Sequence, residues 1–277
     1  MKIGIVGLGL IGGTYAKALK RYPYTIVGMD IDESVIHYAL QNNIIDIGTT
    51  NPSDVLGDLD VVFLCLYPKA AVSFIQKHIT SFKRDAIISD VVGVKRFLID
   101  RLDVYQNDDV EFVFAHPIAG REKVGIKYSD EAIFHDANFV ITPTKHNTLE
   151  ALNLIETLAK QMGFKNVSRI ADYEHDDIIA YTSQLTHAIA ISLVNSDTDK
   201  YDTGLFIGDS YKDLTRIAMI NESLWSELFL NNKDFLLRRI DAFEKQLDLL
   251  KDALANKDQA KLEELMRQST KKRGDIK

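Results

Sequence analysis

The strongest constraint on this chain lies in its first twelve residues. Lys2-Ile3-Gly4-Ile5-Val6 is a short apolar run, and Gly7-Leu8-Gly9-Leu10-Ile11-Gly12 follows without a spacer. A strand that ends on G-x-G-x-x-G and opens an apolar helix reads as the start of a βαβ unit. Gly7 permits the tight turn, Gly9 lets the backbone approach a pyrophosphate, and Gly12 lets helix and strand pack closely. The first N–H groups of the helix then point at the phosphates. Asp30 closes the next strand-like run, Thr25-Ile26-Val27-Gly28-Met29, where an acidic side chain can accept hydrogen bonds from an adenine ribose. Ile31 offers no cation to a 2′-phosphate, so the pattern predicts NAD rather than NADP.

The alternation continues through the first half. Strands are expected at 2–6, 25–30, 60–66, 86–90, 111–115 and 138–142. Helices are expected at 10–21, 33–42, 69–79, 93–102 and 147–162, which together imply βαβ units and a mainly parallel sheet. The pattern changes near residue 170. Residues 173–196 read as one long helix, with further helices beyond Gly204. Leu236, Ile240, Phe243, Leu247, Leu250 and Leu254 recur at heptad-like steps, a seam that suits either an intramolecular bundle or a dimer interface.

A net charge of −7 argues against a general binder of nucleic acid or anionic membrane. No apolar run reaches the roughly 18 residues of a membrane span, and no signal peptide is recognised, so a cytoplasmic location is expected. The lone Cys65 excludes an internal disulfide, and no cysteine cluster suggests a metal site; within Val61–Leu66 it reads as a core thiol.

Of seven histidines, His37, His78, His135 and His146 read as surface residues. His116 follows the apolar run Phe112-Val113-Phe114-Ala115 and precedes Pro117. That places it at a strand end, on the edge where such sheets bind ligands. A neutral imidazole there can take the proton that hydride transfer from an alcohol requires. Gln184, His187 and Ile191 share one helical face, which suggests a lined cleft. His175 opens the same helix, as a cap, a surface group or a site residue. Arg216 begins an apolar helical run, where its planar fork suits a carboxylate or a structural ion pair.

Together these segments resemble the prephenate dehydrogenase family. The resemblance runs through the glycine loop, Asp30, Leu66-Tyr67-Pro68, Ser89-Asp90, His116-Pro117-Ile118-Ala119-Gly120 with Glu122-Lys123, His175-Asp176, Ser183–His187 and Lys212–Ala218. It implies an α/β chain. A Rossmann-like dinucleotide-binding domain, 1–170, precedes an all-α substrate-binding and dimerisation domain, 171–277. It also implies NAD-dependent oxidative decarboxylation of prephenate to 4-hydroxyphenylpyruvate, with a small-molecule substrate and a homodimer. His116 would accept the ring-hydroxyl proton. His187 and Arg216 would bind substrate, with Arg216 on a carboxylate and Glu122 gating the pocket through it. Gly7, Leu8, Gly9, Leu10, Ile11, Gly12, Asp30, Leu66, Tyr67, Pro68 and Asp90 would line the cofactor.

This sequence departs from the family pattern in places. Gly93 stands where a serine usually bonds the catalytic histidine and the substrate hydroxyl. Gln184 replaces a common histidine and Thr186 a common proline. Arg121 replaces a small polar residue, and is expected to add a cation for the pyruvyl carboxylate. Arogenate is the rival substrate, and a non-catalytic NAD-binding regulator is the rival class that Gly93 suggests. A β-hydroxyacid dehydrogenase would carry a catalytic lysine on the helix at 173–196, which has none.

Overall fold

The computed structural model describes residues 1–106, 109–121 and 123–276. Eight strands form one sheet in the order β3-β2-β1-β4-β5-β6-β7-β8. They are β1 (Lys2–Val6), β2 (Thr25–Met29), β3 (Ile47–Thr49), β4 (Val61–Leu64), β5 (Ala86–Asp90), β6 (Val110–Ile118), β7 (Asn138–Thr142) and β8 (Asn166–Arg169). The first six run parallel, in the doubly wound order 3-2-1-4-5-6. β7 pairs antiparallel with β6, with Phe114 opposite Thr142, and β8 runs parallel to β7. The strand order reverses between β1 and β4, and ligands bind beyond the strand C-termini at such a crevice.

Period-two alternation sends each central strand to both faces. Ile3, Ile5, Phe63, Val113 and Ala115 pack with α1 (Leu10–Leu19), α2 (Glu33–Gln41) and α5 (Leu149–Gln161). Val6, Val62, Leu64, Phe112 and Phe114 join the opposite cluster with α3 (Pro68–His78) and α4 (Arg96–Leu102). Burial on both faces is what near-continuous apolar strands require.

The helices after the sheet are α6 (Asp172–Ile179), α7 (Leu185–Asn195), α8 (Asp209–Thr215) and α9 (Glu222–Asn231). The long helix expected at 173–196 is continuous but not uniform. Residues Ala180–Gln184 form a π turn between α6 and α7. Leu224, Trp225 and Leu228 of α9 pack into the second sheet cluster. α6 to α9 therefore belong to the same compact unit as the sheet, Met1–Asn232.

The second unit, Lys233–Lys277, contains α10 (Lys233–Ala255) and α11 (Gln259–Asp275). The two pack as a hairpin, turned at Lys257 in the left-handed region and capped by Asp258 on Lys261 N. On α10 the seam residues Phe243, Leu247 and Leu254 stay 37%, 44% and 58% exposed.

Three expectations change. β3 and β8 are short edge strands with little apolar alternation, which hid them from the pattern. His78 is buried rather than on the surface. Its ring lies 4.8 Å from Phe74, and its Nδ1 is 3.3 Å from Ser53 Oγ. α4 starts at Arg96 rather than 93, because the segment Val91–Lys95 turns into the site.

Candidate active site

The sheet's C-terminal edge carries a cradle built from backbone. Gly7 has φ +86°, and a Cβ there would sit 2.6 Å from the Cys65 carbonyl. A Cβ on Gly12 would meet the Gly7 carbonyl at 1.9 Å, so a side chain there is excluded. Gly9 caps α1 with no side-chain hydrogen bond, and the space beside it is open. Leu8 N donates to Asp30 Oδ2 at 2.8 Å, and Asp32 N donates to Oδ1 at 3.0 Å. A carboxylate has about four lone-pair sites, so two remain for ribose hydroxyls. Leu66 Cδ2 would lie 2.9 Å from a Gly7 Cβ, which sets Leu66-Tyr67-Pro68 against the glycine loop. Pro68 opens α3, and Tyr67 OH accepts from Asn221 Nδ2 at 2.8 Å. These residues fit a dinucleotide. The open helix N-terminus suits its phosphates and Asp30 its ribose, while Ile31, 98% exposed, offers nothing to a 2′-phosphate.

Two strands further along the sheet, β6 delivers His116. Its Nδ1 lies 3.0 Å from His175 Nε2, and His175 Nδ1 lies 2.7 Å from Asp176 Oδ1. Asp176 also accepts the backbone N–H of Lys95 at 2.8 Å and of Arg96 at 3.0 Å, so it is the acceptor of the network. The tautomers follow by assignment. His175 Nδ1–H donates to Asp176, which leaves His175 Nε2 as acceptor for His116 Nδ1–H. The lone pair of His116 is then on Nε2. A Cβ built on Gly93 would lie 3.4 Å from that nitrogen. Burial, then His175, then the Lys95 cation hold the His116 imidazole well below the ordinary histidine range. Burial also pulls His175 down, against the opposing hydrogen bond to Asp176.

Beneath the imidazoles lies a fully buried lysine. Lys95 Nζ lies 2.5 Å from Asp90 Oδ2 and donates to the Ala115 carbonyl at 2.5 Å. Asp90 also accepts Val92 N at 2.8 Å and Ala115 N at 3.2 Å. Asp90 thus anchors the strand ends rather than presenting a free carboxylate to a ligand.

On the helical side, His187 Nδ1 donates to the Ser183 carbonyl at 2.8 Å, and its ring stacks on Trp225 with centroids 3.6 Å apart. Gln184 does not line a cleft as its helical face suggested. It is buried, donates to the Leu228 carbonyl at 3.1 Å and accepts from Asn232 Nδ2 at 2.8 Å. Leu228 and Asn232, packed against it from the α9 side, take up both ends of its amide. Arg216 caps the end of α8, in a turn packed against α7, with its side chain exposed. Arg121 is exposed and paired with Asp130 Oδ2 at 3.2 Å. Glu122 lies outside the described residues.

Sequence reasoning passed over Lys95 and Trp225, named Asp176 only as part of the family resemblance, and left His175 open. A lysine closing the apolar run Val91-Val92-Gly93-Val94 was a readable signal, since a charge there is either paired or functional.

A bare-backbone nucleotide cradle and a neutral imidazole on β6, beyond the end of β5, define a dinucleotide-dependent dehydrogenase. Comparison with known proteins narrows the class. Residues 15–168 match the family model for the prephenate dehydrogenase nucleotide-binding domain, and 171–268 match that for the prephenate dehydrogenase dimerization domain. The chain belongs to the prephenate dehydrogenase family, whose members are NAD-dependent oxidoreductases. It is 31% identical to a cyclohexadienyl dehydrogenase of Zymomonas mobilis, over 98% of this chain and 94% of that one. Among solved structures, it resembles prephenate dehydrogenase from Aquifex aeolicus, determined with hydroxyphenyl propionate and NAD+. The TM-score is 0.91, with 31% identity over 100% of this chain and 98% of the other. It also resembles Synechocystis arogenate dehydrogenase, with TM-score 0.85 and 25% identity over 100% of both chains. Among the described residues, no helix is long and apolar enough to cross a membrane.

Proposed function

We propose that this enzyme converts prephenate to 4-hydroxyphenylpyruvate on the route to tyrosine, with His116 as the proton acceptor. The observation that carries the assignment is the contact chain His116–His175–Asp176, which leaves His116 Nε2 facing Gly93 at the sheet's C-terminal edge. NAD, held by Gly7–Gly12, Asp30 and Leu66–Pro68, supplies the hydride acceptor. His116 Nε2 takes the ring-hydroxyl proton as the ring carbon loses hydride. The ring carboxylate then departs as carbon dioxide, and its bonding electrons flow through the ring to the oxygen. His116 returns the proton to that oxygen, so the reaction releases no net proton. A base shielded from solvent suits a proton that is lent and recovered.

Arg216 is assigned to a substrate carboxylate, and His187, stacked on Trp225, to the substrate's flank. Arg121 serves the pyruvyl carboxylate by exchanging its Asp130 partner for the substrate, and Glu122 gates the pocket. Residues 1–170 hold the cofactor; 171–277 bind substrate and form a homodimer, in keeping with the dimerization-domain match. The enzyme works in the cytoplasm.

Arogenate is the second reading, supported by the Synechocystis relative that aligns over both full chains. The test is NADH formation by the purified protein with NAD and each substrate in turn. Turnover with prephenate supports the proposal. Turnover with arogenate alone transfers it to the second reading, and none with either defeats both.

A further inference from the structure

We propose that His175 and Asp176 are positioning residues that orient His116 from the side away from Gly93 and keep its proton on Nδ1. The proposal rests on the assignment of His116 as the proton acceptor.

An imidazole can serve as a base through only one nitrogen at a time, and its neutral form has two tautomers. A hydroxyl beside Nε2 could fix the ring from the substrate side. At position 93 there is no side chain, so that constraint is missing. The constraint here comes from behind. Asp176 is held by two backbone N–H donors at the start of α4, so its carboxylate cannot swing. His175 has no exposed surface, and its ring is fixed between Asp176 and His116. The rings of His116 and His175 cross at 67° with centroids 5.2 Å apart, which directs one edge of each at the other without stacking. The chain of donors runs one way, from His116 to His175 to Asp176, and leaves Nε2 unprotonated toward Gly93.

The charged groups around the pair agree with this direction. Lys95 stands by from the β5–α4 turn, neutralised by Asp90 of β5. Asp176 is the carboxylate on the His175 side. A cation near His116 discourages permanent protonation, and burial does the same. The carboxylate beyond His175 stabilises the transient positive charge when the substrate proton arrives. This is the logic by which a buried carboxylate orients a catalytic histidine in hydrolases.

Nitrogen-15 spectra of the histidine-labelled protein, assigned with a His116→Asn variant, read the tautomer without substrate. The expected His116 signal is neutral with the proton on Nδ1, and a proton on Nε2 overturns the proposal. In kinetics, His175→Ala should lower kcat by roughly 100-fold while changing the prephenate KM and NAD affinity by less than about threefold. His175→Gln keeps an acceptor near the position of Nε2 and should recover at least about tenfold of that loss. Undiminished kcat in His175→Ala, or His175→Gln no better than alanine, overturns it. NAD binding by each variant confirms that it is folded. Wild-type protein inert with both substrates defeats the functional assignment, and the spectra still decide the tautomer.

Discussion

Lys95 Nζ donates to the carbonyl of Ala115, the residue immediately before His116, while it holds Asp90 at the end of the neighbouring strand. One buried cation therefore ties the end of β5 to β6, which runs on through His116 to Ile118, directly beneath the imidazole. Burial lowers its proton affinity, and Asp90 opposes that shift. Lys95→Met leaves Asp90 as an uncompensated buried charge and should cost about 3–5 kcal/mol, read by denaturant unfolding. The double variant Lys95→Met/Asp90→Leu should recover a large part of that loss. A double variant less stable than the single would contradict this account.

Gly93→Ser should be accommodated, since its Cβ meets His116 Nε2 at 3.4 Å and Leu228 at 3.6 Å. The added hydroxyl reaches the imidazole and the substrate oxygen. Stability should change by less than about 1 kcal/mol, and kcat/KM should hold or rise several-fold. A tenfold fall would show that the gap at Gly93 is needed to admit substrate.

The pH profile follows from the depressed proton affinity of His116. The acid limb of kcat/KM should lie below the ordinary histidine range, with a flat plateau through neutrality. Stability is linked with the same sign. His78, His116 and His175 all have lowered proton affinity in the fold. Below about pH 6.5 the unfolded chain binds protons that the folded one refuses. Their contribution is complete above that pH and is lost as pH falls toward the folded-state values. Thermal unfolding between pH 7.5 and 5 should show a falling Tm, and less of a fall in His78→Phe.

Cofactor choice should rest on two neighbouring positions. Asp30→Ser with Ile31→Arg removes the charge that repels a 2′-phosphate and supplies a cation. NADP should then be used at least about tenfold better relative to NAD, by kcat/KM. Asp30 also accepts Leu8 N, so absolute NAD efficiency should fall as the glycine loop loosens.

Arg121→Ala should raise the prephenate KM with little loss of kcat, the signature of lost uniform binding. An unchanged KM would leave Arg121 as the partner of Asp130 and nothing more.

The α/β half was legible because it repeats a strict grammar. Apolar strands buried on both faces, a glycine loop and an acidic residue after β2 fix the sheet edge and the cradle. His116 was legible by its place after Ala115. Its partner was not, because His175 sits 59 residues away and meets His116 only through tertiary packing. The same holds for Trp225, whose contact with His187 joins α7 to α9. Gln184 misled because its partners, Leu228 and Asn232, are 44 and 48 residues away and meet it only through tertiary packing. The seam on α10 was legible as a seam, and Phe243, Leu247 and Leu254 stay exposed along it.

The wide turn at Ala180–Gln184 sets an angular phase. His175 and His187 are twelve positions apart, which on an unbroken α-helix puts them about 120° apart around the axis. A π turn absorbs one residue, and the offset drops to about 20°. One helix can then offer two imidazoles to the same side, one locking His116 and the other stacked on Trp225. Removing the one residue that this turn absorbs would restore a regular α-helix and keep the two histidines in step, whereas inserting one more would rotate His187 about 100° away from His175.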